Sequence, residues 1–250
     1  MGLKAVFKTD CGKVRQHNED NGGIFTKDGS TLVLVADGMG GHRAGDVASG
    51  MTLSYLKERW MEASEVTTAD EAEKWLKENI KELNKLLFAH AETHEECKGM
   101  GTTLVAALCT ERFTTIANIG DSRCYIYNES GFRQITEDHT LVNELVRTGQ
   151  ISREDAEHHP RKNVIVRALG SEPDVEADIW TIIFEEGDVL LLCSDGLSNK
   201  IQSRDLQKTI ESEGSLEEKA DLLVAKANEN GGEDNITLIL VEYSHERESR

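Results

Sequence analysis

Four aspartates stand against apolar runs in the same way. Val33-Leu34-Val35-Ala36-Asp37-Gly38 ends a partly β-branched run on a carboxylate, and Val189-Leu190-Leu191-Leu192-Cys193-Ser194-Asp195-Gly196 repeats the design. Ile119-Gly120-Asp121-Ser122-Arg123 sets an Asp in a tight turn between two predicted strands, and Gly231-Gly232-Glu233-Asp234-Asn235-Ile236 begins a strand straight after Asp-Asn. Asp-Gly and Asp-Asn are turn formers, which is reason enough for any one of them. Four together, each abutting a buried strand, are harder to explain that way, because one end of a sandwich could gather them all. Oxygen donors without cysteines or a suitable histidine set point to Mg²⁺ or Mn²⁺ and away from Zn²⁺. Two such ions sharing Asp37 would sit roughly 3.5–4 Å apart and could hold a bridging hydroxide.

The elements that must position these carboxylates follow from periodicity. Strands are predicted at 3–9, 31–36, 102–109, 113–119, 122–128, 132–135, 178–184, 189–194 and 236–242. Helices are predicted near 45–62, over 69–95, where Ala72, Trp75, Leu76, Ile80, Leu83 and Leu87 keep three-and-four spacing, and at 203–212 and 216–229. The polar stretch from Gly12 to Asn21 carries no regular pattern. Residues 138–170 differ in character: a short helix around Leu141–Val146, a second opened by the capping pattern Ser152-Arg153-Glu154-Asp155, then the basic His158-His159-Pro160-Arg161-Lys162. They read as a flap leaving the sheet near the site. Strands dominate both halves with helices in pairs between them, which predicts α+β layers around a β-sandwich and not a doubly wound parallel sheet.

Composition narrows the function classes. At 250 residues the chain fits one domain, expected over 1–243, with a charged tail at 244–250. Lys+Arg number 28 against 46 Asp+Glu, a net charge of -18, which argues against nucleic acid or an anionic membrane as the main partner. No apolar run reaches the roughly 20 residues of a membrane span, and the N-terminus lacks a signal peptide's apolar core. The 5 cysteines include no C-x-x-C pair. A cytoplasmic location with free, mostly buried thiols is the expectation.

Taken together, Arg15-Gln16-His17-Asn18-Glu19-Asp20, Val35-Ala36-Asp37-Gly38-Met39-Gly40-Gly41-His42, Gly99-Met100-Gly101-Thr102-Thr103, Ile119-Gly120-Asp121-Ser122-Arg123, Cys193-Ser194-Asp195-Gly196 and Gly232-Glu233-Asp234-Asn235 resemble the ordered motifs of the metal-dependent protein phosphatase (type 2C) family, and most closely its bacterial stand-alone members. The resemblance runs from Thr9 to about Val241. It implies a four-layer α-β-β-α sandwich, two antiparallel sheets flanked by paired helices, with a flap subdomain. It implies a Mn²⁺- or Mg²⁺-dependent phosphoserine and phosphothreonine phosphatase with two ions per subunit and a third in bacterial members. Asp37 would bridge two ions and the Gly38 carbonyl would complete one of them. Asp195 and Asp234 would bind the other, and Asp121 with Asp195 the third. Glu19 and Asp20 would act through metal-bound water, and Asn235 would orient its neighbours. Arg15 would hold the substrate phosphate in its planar fork. Hydroxide between the metals would attack phosphorus in line, and His42 would protonate the departing alkoxide. No Cys-x5-Arg pattern exists, so no covalent phosphoenzyme is implied. Phosphorylated proteins, among them a Ser/Thr protein kinase that the enzyme counteracts in signalling, are the implied partners of a monomer. The rivals are a small-molecule phosphoesterase with the same metals and a catalytically silent phosphoprotein-binding module.

Two further signals are weaker. His90, His94 and Cys97 fall at i, i+4, i+7, but His90-Ala91-Glu92-Thr93-His94 has its Glu one place too late for a zincin, and the face is shared with Leu83 and Leu87. His139, His158, His159, Arg161, Lys162 and Arg167 would, by analogy, meet the phosphoprotein surface; a solvated face is the plain alternative.

Overall fold

A computed structural model describes residues 2–41 and 44–244. His42 and the tail from 245 onward lie outside the described residues. The strands are β1 (Gly2–Asp10), β2 (Asp20–Lys27), β3 (Ser30–Met39), β4 (Gly101–Thr102), β5 (Leu104–Cys109), β6 (Phe113–Ile119), β7 (Arg123–Asn128), β8 (Gly131–Gln134), β9 (Asp178–Ile183), β10 (Val189–Cys193) and β11 (Ile236–Ser244). The helices are α1 (Ala44–Glu62), α2 (Ala69–Thr93), α3 (Leu141–Arg147), α4 (Arg153–Glu157), α5 (Asp195–Ser198), α6 (Ser203–Glu211) and α7 (Leu216–Glu229).

Among the described residues the strands form two antiparallel sheets. One has the order β1-β11-β10-β7-β8; the other runs β2-β3-β5-β6-β9, with β4 paired to β3. Strand alternation divides the apolar side chains between three layers of packing. In β3, Leu32 and Leu34 face α1 and α2, while Val33 and Val35 face the other sheet. In β10, Leu191 and Cys193 pack with α6 and α7, while Leu190 and Leu192 point between the sheets. Both faces of these strands are covered, which is why they read as unbroken apolar runs. Burying each such side chain contributes roughly 1.5–3 kcal/mol. The result is the expected four-layer α-β-β-α sandwich.

Local signals explain the helix starts. Thr68 and Glu71 form a reciprocal capping box at α2, Ser215 and Glu218 another at α7, and Ser152 and Asp155 the one expected at α4. Three expectations need correction. The 12–21 region ends in β2, which begins at Asp20 and was hidden because two glycines and an Asn interrupt its alternation. β3 does not stop at Asp37 but runs through to Met39, since Gly38 pairs with Thr102. The strand expected over 102–109 is split after Thr102 into β4 and β5, where the Thr103 N–H donates to the Asp37 carbonyl at 2.9 Å.

The 138–170 segment leaves the sheet after β8 and returns before β9. Thr140 pairs with Ile165, and Leu169 pairs with Thr102. Asn84 of α2, itself buried, accepts from the Gly170 N–H and donates to the carbonyls of Glu172 and Pro173, fixing the return.

Candidate metal centre

One edge of the sandwich collects the ends of strands from both sheets. β3 delivers Asp37, and Asp20 opens β2 directly opposite it in the pairing register. β10 hands over to Ser194 and Asp195. β11 begins just after Asp234 and Asn235, and Asp121 lies in the turn between β6 and β7. The side chains of Asp37 and Asp195 meet directly, and Asp20, Asp195, Asp121 and Asp234 all bear on Asp37 electrostatically. The sequence-predicted carboxylates are therefore brought together.

Crowding and burial set their charge. Burial first, and then Asp20, Asp195, Asp121 and Asp234, push the Asp37 carboxyl well above the ordinary range. Asp20 is pushed up to about 7 by burial, with Asp195 and Asp234 adding to the effect and the Ser194 hydrogen bond opposing it. Asp121 rises to about 7 through burial and then Asp195. Asp195 rises through burial and then Asp234. Glu19, less buried, is raised by desolvation, which Arg15 offsets in part.

The arrangement fits a hard divalent cation. The donor set is carboxylate and carbonyl oxygen. Oδ1 of Asp20 and Oδ1 of Asp121 are buried and lack hydrogen-bond partners. A cluster of buried and half-buried acids that repel one another calls for protons or cations. Among the described residues no three carboxylate, imidazole or thiol groups converge as a finished cage. Close backbone packing holds Gly38 and Gly196 in place. A Cβ on Gly38 would lie 2.1 Å from the Gly45 carbonyl oxygen, and one on Gly196 would lie 1.9 Å from that of Asn235.

Polar contacts then lock the loops. Asn235 Oδ1 accepts from the Glu19 N–H at 2.8 Å, and its Nδ2 donates to the carbonyls of Cys11 at 2.9 Å and His17 at 3.0 Å. Arg15 thereby sits on a fixed loop, and its Nη2 donates to Asp234 Oδ2 at 2.9 Å. That hydrogen bond, with Asp234, Glu19 and Asp37 nearby, raises the pKa of a guanidinium that still has a side-chain exposure of 49%. The Asp37 N–H donates to Thr103 Oγ1 at 3.0 Å, and Thr102 Oγ1 donates to the Asp37 carbonyl at 2.9 Å. Ser194 Oγ donates to Asp20 Oδ2 at 2.7 Å, and Ser49 of α1 donates to the Glu19 carbonyl at 2.6 Å.

Spacing alone assigns no role to Thr103, Ser194 or Ser49. The first two lie inside motifs whose acids take the attention, and Ser49 sits within a helix. His90 and His94 stack ring on ring at 3.9 Å, with His94 Nδ1 against the His90 carbonyl, which accounts for their spacing without a metal. In the basic segment Arg161, Lys162 and His158 are exposed, whereas Arg167 and His139 are engaged by Asp178 and are not free surface groups. All five cysteines are unpaired, and only Cys11 is not buried.

Comparison with known proteins agrees with this geometry. The family model described as protein phosphatase 2C matches residues 9–231. The serine/threonine phosphatase stp of Listeria welshimeri is 53% identical over 241 residues, 96% of this chain and 96% of that protein. The crystal structure of serine/threonine phosphatase Stp1 from Staphylococcus aureus superposes with a TM-score of 0.91 at 41% identity, covering 98% of this chain and 96% of that one. The catalytic domain of the serine threonine protein phosphatase PstP in complex with 2 manganese ions superposes with a TM-score of 0.83 at 32% identity, covering 97% and 99%. The chain belongs to the protein phosphatase 2C family.

Proposed function

We propose that this chain is a metal-dependent phosphatase that hydrolyses phosphoserine and phosphothreonine in proteins. The observation that carries the reading is the gathering of Asp20, Asp37, Asp121, Asp195 and Asp234 from both sheets at one edge, with Arg15 at its mouth. Support comes from relatives named as serine/threonine phosphatases and from the manganese in the PstP structure. Asp37, the Gly38 carbonyl, Asp195 and Asp234 would hold two Mn²⁺ or Mg²⁺ ions, and Asp121 with Asp195 a third. Such ions, when bound, supply positive charge to the phosphoryl oxygens and acidify water near neutral pH.

The chain's own residues do the rest. Arg15 takes two phosphoryl oxygens in its fork, exchanging its bond to Asp234 for the substrate. Asn235 keeps that loop in register, and Glu19 and Asp20 accept hydrogen bonds from water beside the acids. His42 protonates the leaving serine or threonine oxygen; a His42→Ala variant then loses more on alkyl than on aryl phosphate esters, whose phenolate leaves unaided.

Residues 1–243 form one catalytic domain, with 138–170 as a flap beside the site and 244–250 as a tail. Among the described residues no helix is long and apolar enough to cross a membrane. A monomer in the cytoplasm, reversing the work of a Ser/Thr protein kinase in signalling, is the setting this reading favours.

The test is kcat/KM on a phosphothreonine protein and on small phosphate esters, both with Mn²⁺. A preference of at least about tenfold for the protein is expected. A preference for small esters would favour a small-molecule phosphoesterase, and no turnover of either would favour a silent binding module.

A further inference from the structure

The turn that carries Asp121 is gripped from two sides. Gly120 has φ +100°, and a Cβ there would lie 2.6 Å from Thr103 Cγ2, so the position needs glycine and has a wall behind it. In front stands the imidazole of His139, 8% exposed. Its Nδ1 accepts from the Gly120 N–H at 3.0 Å, while its own backbone N–H donates to the Gly120 carbonyl at 2.9 Å. Asn118 Nδ2 reaches the same carbonyl at 3.3 Å.

An accepting Nδ1 fixes the tautomer, with the proton on Nε2. That proton goes to Asp178 Oδ2, 3.1 Å away. Arg167 Nη1 lies 3.2 Å from the same Nε2, but two donors cannot bond to each other; its bond goes to Asp178 Oδ1 at 2.8 Å. Asp178 orients the ring, and Arg167 orients Asp178. Both backbone polar groups of Gly120 are thus satisfied, whereas Oδ1 of the next residue, Asp121, is buried without a partner.

We infer that His139 is a positioning residue for Asp121, its Nδ1 holding the Gly120 N–H so that the Asp121 carboxylate is presented to a divalent cation. The inference rests on the reading that Asp121 binds such an ion. His139 touches neither substrate nor metal in this scheme. It acts through one peptide unit.

Two near-isosteric variants separate positioning from simple packing. In His139→Asn the side-chain oxygen falls where Nδ1 was and still accepts from Gly120, but the link to Asp178 is lost. In His139→Gln the side chain reaches Asp178 and leaves the Gly120 N–H without an acceptor. The probes are Mn²⁺ titration calorimetry and amide exchange at Gly120, with Asp121→Asn as reference. Asp121→Asn is expected to remove the weakest Mn²⁺ step. His139→Gln should weaken that step about tenfold or more and speed Gly120 exchange, while His139→Asn stays within about threefold. Asp178→Asn, which leaves the ring on Gly120, should likewise stay within about threefold; His139→Leu, which removes the acceptor and adds no polar group, serves if His139→Gln does not fold.

Wild-type Mn²⁺ binding in His139→Gln, or in His139→Leu if it stands in, would overturn the role of His139 while leaving that of Asp121 intact. Equal losses in the Asn and Gln variants would reduce His139 to packing. A wild-type isotherm in Asp121→Asn would remove the metal reading of Asp121 and this inference with it.

Discussion

Asp20 and Asp37 face each other directly across β2 and β3, a buried and a half-buried acid in register on neighbouring strands. Like charges directly opposite in a sheet destabilise it. Here Asp20 keeps one oxygen on Ser194 and leaves the other without a partner. The fold accepts the repulsion because the apolar strands behind, Leu32 to Ala36 on one sheet and Leu190 to Cys193 on the other, are buried on both faces. Stability is supplied in the layers and spent at the edge, where a cation would relieve it.

Substitution of Gly196 tests how tightly that edge is built. A Cβ would fall 1.9 Å from the Asn235 carbonyl oxygen, forcing backbone to move. Gly196→Ala should cost about 1–3 kcal/mol or more in denaturant unfolding and weaken Mn²⁺ binding. Unchanged values for both would show that the close approach is not needed.

Arg15 is exposed enough to meet a substrate yet already charge-paired with Asp234. A charge-assisted hydrogen bond contributes about 1.5–3 kcal/mol, so Arg15→Ala should raise KM on a phosphothreonine peptide roughly ten- to hundredfold. Arg15→Lys should recover only part of this, because an ammonium lacks the fork. Steady-state kinetics at saturating Mn²⁺ decide the matter; an unchanged KM would take Arg15 off the phosphate.

Arg123 holds Asp138 from two nitrogens, Nε at 3.0 Å and Nη2 at 2.6 Å, and Asp138 has only 10% side-chain exposure. Removing the cation leaves that carboxylate without its counter-charge, with the Gln134 Nε2 donor still at 2.9 Å. Arg123→Ala should lower stability by about 3 kcal/mol, less if water reaches Asp138, as read by chemical denaturation. A loss under about 1 kcal/mol would contradict the pairing.

The pH dependence of His139 has a definite sign. Burial lowers its pKa below the ordinary 6.5, against the pull of Asp178 and with the help of Arg167. The folded chain thus holds the imidazole neutral, a contribution fully present above about pH 6.5 and lost as pH falls through the folded value. The stability gap between the wild type and the non-titrating His139→Asn should shrink between pH 7.5 and 5.5, by at most about 1.4 kcal/mol per pH unit. A gap that stays constant would show that the histidine does not change charge there.

Much of this site is legible in the sequence because its acids sit where strands end, and strand ends are announced by apolar runs meeting Asp-Gly or Asp-Asn. Asp37, Asp195 and Asp234 are found that way, and Asp121 by the tight Gly-Asp-Ser turn between two predicted strands. Asp20 is not, since β2 carries Gly22 and Gly23 where alternation would show; a Cβ on Gly22 would lie 2.7 Å from the Phe7 ring. Nor does spacing reveal Thr103, Ser49 or the pairing of His139 with Asp178, 39 residues apart in the chain. Hydrogen bonds to backbone across elements leave no period to read. The histidines and arginines of residues 138–170 look alike in the sequence as a basic cluster, and only the tertiary structure separates Arg167, bound to Asp178, from the exposed Arg161 and Lys162.

The most direct test of the two-metal account is hydrolysis of a phosphothreonine peptide with Mn²⁺, with EDTA, and in Asp37→Ala and Asp195→Ala variants shown to be folded. Activity should vanish on chelation, return with Mn²⁺, and fall by about a thousandfold or more in each variant, in line with the several kcal/mol that bound metals supply to a transition state. Hydrolysis that survives EDTA, or that persists near the wild-type rate in either variant, would contradict it.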